Sequence, residues 1–303
     1  MKAIVVHRYG GPEELTWEEH RDPIPGPDEV LVRVAATSVN PIDLMRRSGF
    51  AKALAPITFP GIVGVDLSGT VAKVGSRVKR FSVGDRVLGM ADQTYAELCV
   101  ARAANLIKIP DGLAPVEAAA LPLVTVTGNQ LISVGTDLQA GQRVLVTGAV
   151  GNVGRAAVFT AKERGAFVIA GVRRSQLGEG ARLGANEAVA IDDDEAVAGL
   201  APLDAIADAV DGETAQKLIT KVRPGGVFGS VLGAPQNAGD YPAVKVVPVY
   251  AQPDATILRH MVQAVQKGSL IIPVVGTWPL KDAAEAHAAV AKGAAGKVLL
   301  VAQ

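Results

Sequence analysis

The stretch at residues 143–154, RVLVTGAVGNVG, constrains the fold of this chain more than any other. Residues 144–146 form a short run that is apolar throughout, which fits a parallel strand covered on both faces. A helical pattern starts near Asn152, runs through Ala156, Ala157, Val158 and Ala161, and stops at Gly165. The apolar run at residues 167–172 supplies a second strand, so the whole reads as one βαβ unit. Such a turn offers backbone N–H groups and the positive end of a helix to a phosphate. Gly151 lets the backbone approach a pyrophosphate, and Gly154 lets the helix pack closely on the strand. The usual G-x-G-x-x-G spacing would put its first glycine at Ala149, whereas this chain has Gly148, one residue earlier. A structural turn, or a site for another adenosine ligand such as S-adenosylmethionine, uses similar glycines. The strand–turn–helix–strand context favours a dinucleotide.

The end of the second strand discriminates between cofactors. An NAD site places Asp or Glu about 20 residues after the glycines to bond the ribose hydroxyls. Here the segment is Gly171-Val172-Arg173-Arg174-Ser175, with no acid between Gly165 and Gly178. A carboxylate repels a 2′-phosphate, and an arginine fork bonds it bidentately. The pattern therefore predicts NADPH rather than NADH, against the plainer reading of Arg173 and Arg174 as solvated loop charges.

The turn lies near the middle of 303 residues, so a separate structure must precede it. The first 115 residues carry short apolar runs at 3–7, 29–37, 63–74, 85–89 and 94–100, separated by Gly and Pro. That punctuation predicts a β-rich, barrel-like domain, with helices near 115–121 and 125–133. From residue 141 strand and helix alternate, with strands at 144–146, 167–172, 188–191, 205–208 and 227–232, which predicts a doubly wound parallel sheet. Hydrophobic residues make up 49% and charged residues 20%, and 30 basic side chains balance 30 acidic ones. No basic excess points to nucleic acid or to an anionic membrane. The apolar run at the N-terminus is too short for a signal peptide, and no uninterrupted apolar stretch approaches a membrane span. The single cysteine, Cys99, rules out an intrachain disulfide and suits a reducing cytoplasm. The acidic run Asp192-Asp193-Asp194-Glu195 reads as a solvated loop rather than a metal site.

A set of short segments then falls into a recognisable order. They are Val39-Asn40-Pro41-Ile42-Asp43 with Arg47-Ser48-Gly49, Pro60-Gly61, Gly64-Val65-Asp66-Leu67-Ser68-Gly69, Val83-Gly84-Asp85-Arg86-Val87, Tyr95-Ala96-Glu97, Ala118-Ala119-Ala120-Leu121-Pro122 with Thr127, Ala286-His287 and Gly296-Lys297-Val298. Over its full length the chain resembles the medium-chain dehydrogenase/reductase superfamily, and within it the zinc-independent quinone oxidoreductase (zeta-crystallin-like) branch. The resemblance implies an α/β protein with a GroES-like β-rich catalytic domain at residues 1–118, a Rossmann NADP-binding domain at 119–272, and a return to the catalytic domain at 273–303. It also implies a homodimer through the Rossmann sheet edges, for which residues 244–249 are the candidate strand. Pro248 there removes one ladder bond.

Zinc-dependent members hold zinc with Cys, His and Glu, plus a four-cysteine lobe. Asn40 and Val65 stand at the positions matching the family's first catalytic Cys and its His, and one cysteine cannot build the lobe. The four histidines are scattered, and His287 in an Ala-rich segment reads as a partly buried packing residue. The expected cofactor is NADPH with no metal. Without a Lewis acid, hydride passes most easily to an acceptor already poor in electrons, such as a quinone or an α,β-unsaturated carbonyl. The alternatives are an enoyl-thioester or polyketide-type enoyl reductase, and a non-catalytic NADPH-binding protein. The expected partner is a small-molecule electrophilic acceptor.

The resemblance implies catalytic positions at Asn40, Asp43 and Thr127. Asn40 can offer a donor to the developing oxyanion, or simply cap a helix whose first residue is Pro41, with Asp43 as local cap partner. Thr127 matches a position beside the nicotinamide carboxamide. The family's tyrosine two residues after Asp43 is Met45 here, which leaves solvent as the default proton source. The implied cofactor-binding residues are Pro41, Gly148, Ala149, Gly151, Asn152, Val153, Gly154, Arg173, Arg174, Ala209, Gly233 and Lys297.

Overall fold

A computed structural model describes residues 1–302. Two compact units emerge, one of Met1–Leu123, Pro253–Gln266 and the residues from Ile272 onward, the other of Val124–Gln252 and Lys267–Ile271. The resemblance implied boundaries at 118/119 and 272/273. The later first boundary falls inside a helix, and the earlier return brings a further helix into the first unit.

The first unit opens with strands β1 (Lys2–Val6), β2 (Thr16–Glu19), β3 (Glu29–Val39), β4 (Gly61–Ile62), β5 (Asp66–Val74), β6 (Arg86–Met90), β7 (Leu98–Arg102) and β8 (Leu106–Lys108), with helix α1 (Pro41–Ser48) after β3 and α2 (Pro115–Ala118) after β8. β3 is the organising strand, pairing antiparallel with β5 and β7. Val30, Val32 and Val34 share one face of it and pack against Leu67, Val71, Val87 and Leu106. β2, β1 and β4 form a separate three-stranded sheet. The short strands β2 and β8 were not predicted, having too few residues to show a period.

Helix α3 (Pro122–Gln130) leads to the second unit, whose strands are β9 (Arg143–Thr147), β10 (Phe167–Val172), β11 (Glu187–Ala190), β12 (Leu203–Asp208), β13 (Val222–Ser230) and β14 (Lys245–Pro248). They form one parallel sheet in the order β11-β10-β9-β12-β13-β14, the doubly wound dinucleotide-binding order. Helices α4 (Asn152–Glu163), α5 (Leu177–Gly180), α6 (Asp194–Ala198) and α7 (Gly212–Leu218) connect them. Both faces of β9 are covered: Val144 and Val146 belong to one core with Ala157, Val158 and Ala161 of α4, and Leu145 to another with Ile169, Ile206 and Phe228. This double burial is why the strand reads as uninterrupted apolar sequence. α3 continues into a π-helix at Leu131–Thr136, a rare geometry that periodicity did not signal. Pro248 ends β14 at the sheet edge, where a missing N–H is tolerated.

Pro115–Thr136 is long and apolar enough to cross a membrane by length and composition alone, and 78% of its apolar window is buried inside the fold. Helix α8 (Ala255–Gln266), strand β15 (Val274–Pro279), helix α9 (Ala283–Ala291) and strand β16 (Lys297–Val301) complete the first unit. α8 packs on β8, and Gln266 Nε2 donates to the Asp111 carbonyl at 2.9 Å. These ties explain why α8 leaves the dinucleotide-binding sequence region. β16 pairs antiparallel with β3, Val298 opposite Val39 and Leu300 opposite Thr37.

Candidate functional site

In the second unit, β9 delivers Thr147 to the turn and Gly148 adopts φ +58°, the left-handed region that favours glycine. Gly151 N–H donates to Gly148 O at 2.8 Å, closing the turn, and Ala149 N–H donates to Gly171 O at 3.1 Å, tying it to β10. The irregular first glycine of the motif is therefore the residue that bends the chain. A Cβ on Gly154 would lie 2.7 Å from Ala149 Cα and would also strike the Gly148 carbonyl, so only glycine lets α4 start this close to the turn. A Cβ on Gly151 would meet one atom, Gly148 O at 3.1 Å, and otherwise open space. Gly151 is the N-cap of α4, and Arg155 N–H is already bonded to its carbonyl. Asn152, Val153 and Gly154 occupy the first turn, where N–H groups lack intrahelical acceptors. This cradle, open where a side chain would stand and lined with donors at a helix N-terminus, fits a pyrophosphate.

Arg173 and Arg174 follow β10 directly and both are exposed. Their surroundings differ. Arg174 N–H donates to Asp192 Oδ1 at 2.7 Å, and its guanidinium is ion-paired with Asp193. Asp193 also caps α6 through Glu195 N–H and Ala196 N–H. The Arg173 guanidinium bonds no protein group among the described residues. The acidic run that read as a solvated loop thus supplies a helix cap and holds one arginine of the pair.

Asp208 ends β12, is fully buried and was not identified from sequence. Its Oδ1 accepts from Thr147 Oγ1 at 2.8 Å and its Oδ2 from Ser230 Oγ at 2.9 Å, knotting the carboxyl ends of β9, β12 and β13. Burial raises its pKa, and these donors oppose the rise. Thr147 Oγ1 also accepts from Ala209 N–H at 2.8 Å, so Ala209 is held at the same strand ends. Gly233 lies just beyond β13 with φ +111° and open space around its missing side chain. An acid at the carboxyl end of a strand, directly after the apolar run at residues 205–207, was the available signal for Asp208.

In the first unit, three neighbouring strands carry Lys297, Ser38 and Asp66 to one buried point. Lys297 opens β16, Ser38 lies near the end of β3 and Asp66 opens β5. Asn40, between β3 and α1, completes the cluster; its side chain is buried and both amide atoms are engaged. Asn40 Oδ1 accepts from Lys297 Nζ at 2.7 Å, and its Nδ2 donates to Asp66 Oδ2 at 2.8 Å. Lys297 Nζ lies 3.3 Å from the same carboxylate oxygen, Ser38 Oγ donates to it, and Asp66 Oδ1 accepts from Leu123 N–H at 2.7 Å. A buried charge pair of this kind is tolerable because both carboxylate oxygens of Asp66 have donors. Lys297 is thus placed on Asp66 and Asn40, neither of which its motif foretold as a partner.

Asn40 is also the N-cap residue of α1, with Pro41 at its first position. Its N–H donates to Asp43 Oδ2 at 2.8 Å, which is the local cap partnership expected of Asp43. Asp43 is fully buried and its Oδ1 has no partner among the described residues. Burial pushes its pKa up to about 7, with the charge of Asp66 adding to the rise. Tyr95 Oη lies 3.5 Å from Asp43 Oδ2 and 3.1 Å from His287 Nε2, and His287 Nδ1 lies 3.4 Å from Arg47 Nη1. His287 is wholly rather than partly buried, and burial together with the neighbouring Arg47 charge lowers its pKa to about 3. Thr127 lies in α3 and is buried.

Residues 26–111 match the alcohol dehydrogenase GroES-like domain, and residues 183–300 match the zinc-binding dehydrogenase domain. The chain is 30% identical to the chloroplast envelope quinone oxidoreductase homolog of Arabidopsis thaliana over 99% of this chain and 98% of that protein. It is also 30% identical to a 2-haloacrylate reductase of a Burkholderia species, covering 94% of each. Among solved structures, the Escherichia coli quinone oxidoreductase complexed with NADPH superimposes with a TM-score of 0.86 at 25% identity, over 99% of this chain and 100% of the other.

Proposed function

Since the chain belongs to the quinone oxidoreductase branch of the medium-chain dehydrogenase/reductase superfamily, we propose that it is an NADPH-dependent reductase that delivers hydride to a quinone or an α,β-unsaturated carbonyl without zinc. The observation that carries this reading is the open glycine cradle of α4 beside an acid-free β10 end, where the Arg173 guanidinium bonds no protein group among the described residues. Asn152, Val153 and Gly154 hold the pyrophosphate through backbone N–H groups, and Arg173 and Arg174 face the 2′-phosphate. Ala209 and Gly233 border the adenosine and nicotinamide sides. When bound, the nicotinamide supplies the hydride. In the first unit Asn40 is the candidate donor, with the Lys297 ammonium 2.7 Å from its Oδ1, and in the second unit Thr127 is the candidate partner of the carboxamide. Asn40 and Val65 offer neither thiolate nor imidazole at the positions matching two of the family's zinc ligands. β14, at the sheet edge, is the strand through which a homodimer would form.

Of these two acceptors the activated alkene has its own support: the Burkholderia relative is named a 2-haloacrylate reductase, and an acrylate is an activated alkene rather than a quinone. NADPH oxidation by the purified protein, followed with 1,4-benzoquinone, an enone and a crotonyl thioester, separates the readings. Turnover with quinone or enone is the expected result, and turnover confined to the thioester favours the enoyl reductase. Tight NADPH binding with no turnover on any acceptor overturns the enzyme reading.

A further inference from the structure

Arg155, Arg173 and Arg174 lie around the glycine cradle of the second unit, and among the described residues only the Arg173 guanidinium bonds no protein group. Arg155 is the fourth residue of α4, with a side chain 12% exposed. Its Nε donates to Val150 O at 2.9 Å within the glycine turn, and its Nη2 is ion-paired with Glu179 of α5. One guanidinium fork therefore ties the turn to the helical run that follows β10. That run starts at Arg173, whose N–H donates to Gln176 Oε1 at 3.3 Å while Gln176 N–H donates to Arg173 O at 2.8 Å. It continues as a 3-10 turn at Arg174–Gln176 and then as α5. Glu179 is the one acid in residues 173–183. The other acids at this end of the sheet are already engaged by Arg174, Asp192 through its N–H and Asp193 through its guanidinium.

The position of Glu179 decides what its charge does. From Arg173 to Glu179 the run rises roughly 10 Å, at about 2 Å per residue in its 3-10 part and about 1.5 Å in its α-helical part. That is about one Debye length at 0.1 M salt, so a bare carboxylate there repels a phosphate held at Arg173, whereas an ion pair is nearly neutral at that range. We propose that Arg155 is a positioning residue for cofactor choice: by holding Glu179 it cancels the one acid of this run and keeps the end of β10 selective for NADPH over NADH. This deepens the NADPH reading and rests on it. The two cofactors share the pyrophosphate, so any change that losing the Val150 bond makes in the turn acts on both. The Glu179 charge acts further on the 2′-phosphate, which NADH lacks.

The test is the ratio of NADH to NADPH dissociation constants, from fluorescence titration of the full chain at about 20 mM and about 500 mM NaCl. Arg155→Met leaves Glu179 bare, so the ratio falls roughly threefold to tenfold at low salt and less than about twofold at high salt. Adding Glu179→Gln to Arg155→Met brings the ratio back to within about twofold of wild type, while the stability carried by the bond to Val150 O stays lost. Arg155→Lys keeps the charge without the fork and holds the ratio within about twofold. An arginine that served only to hold the turn would weaken both cofactors alike, at both salt concentrations, and would not be rescued by removing the acid. Where Arg155→Met fails to fold, Glu179→Gln alone decides: it leaves the Arg155 charge uncompensated, so the ratio rises roughly threefold at low salt. A ratio unmoved in Arg155→Met or in Glu179→Gln, or still low in the double variant, overturns the proposal. Wild-type protein that binds NADPH no more tightly than NADH overturns the cofactor reading itself, and this inference with it.

Discussion

Arg173 and Arg174 are neighbours in sequence, yet the fold treats them differently. Arg174 is ion-paired with Asp193, and Arg173 is not bonded to the protein among the described residues. A guanidinium already neutralised by a carboxylate adds less to a phosphate site than an uncommitted one. Arg173→Ala is therefore expected to raise the Michaelis constant for NADPH about 10-fold to 100-fold with little change for NADH. Arg174→Ala is expected to raise it less than about fivefold. Steady-state kinetics with both cofactors decides this, and equal effects of the two substitutions would remove the distinction. The sequence exposed the pair through the missing acid after Val172, a local signal. It hid the pairing, because Asp193 belongs to a different element, the N-cap of α6, 19 residues on. Lys297 shows the same limit more sharply. Its motif marked it as a residue of interest, but its partners Asn40 and Asp66 are 257 and 231 residues away in the chain.

The glycines around α4 work at the scale of the element. A methyl group on Gly154 has nowhere to go, since Ala149 Cα would be 2.7 Å from it and the Gly148 carbonyl is fixed in the turn. Gly154→Ala is expected to destabilise the protein by about 1–3 kcal/mol and to weaken NADPH binding at least about 10-fold, because the helix N-terminus must back away from the turn. Gly178, in α5, is the control: a Cβ there meets nothing within 4 Å. Gly178→Ala is expected to leave NADPH affinity unchanged and to raise stability by up to about 1 kcal/mol. Urea unfolding and NADPH titration of both variants check the pair, and a Gly154→Ala protein of native stability and affinity would refute the close-packing role. The βαβ unit was legible because its cues are local: double burial makes β9 and β10 continuously apolar, and glycine punctuates both ends of α4. The π-helix at Leu131–Thr136 and the docking of α8 on β8 were not legible. A π-turn leaves the apolar period nearly intact, and the amphipathic pattern of α8 does not say which sheet receives its buried face.

At the scale of the whole molecule, the buried string Arg47–His287–Tyr95–Asp43 holds two titrating groups of opposite sign. Burial raises the pKa of Asp43 from its ordinary 3.8 to about 7. Between those values the native state keeps a proton that the unfolded chain has lost, so this group's stabilisation is complete below about pH 4 and is lost as pH rises toward 7. Burial beside Arg47 lowers the pKa of His287 from 6.5 to about 3. Between those values the unfolded chain holds the extra proton, so this contribution grows as pH rises toward 6.5 and is lost as pH falls toward 3. Each swing is about 4–5 kcal/mol at the 1.4 kcal/mol carried by one pKa unit. From about pH 4 to 6.5 the two slopes oppose and nearly cancel, so the wild type owes little net pH dependence to this string. Removing either group unmasks the other. Asp43→Asn is expected to become more stable relative to wild type as pH rises from 4 to 6.5, and His287→Gln to become less stable over the same range. Urea unfolding midpoints at half-unit pH steps test the pair. Profiles parallel to wild type in both variants would mean that neither group holds its shifted protonation state in the fold.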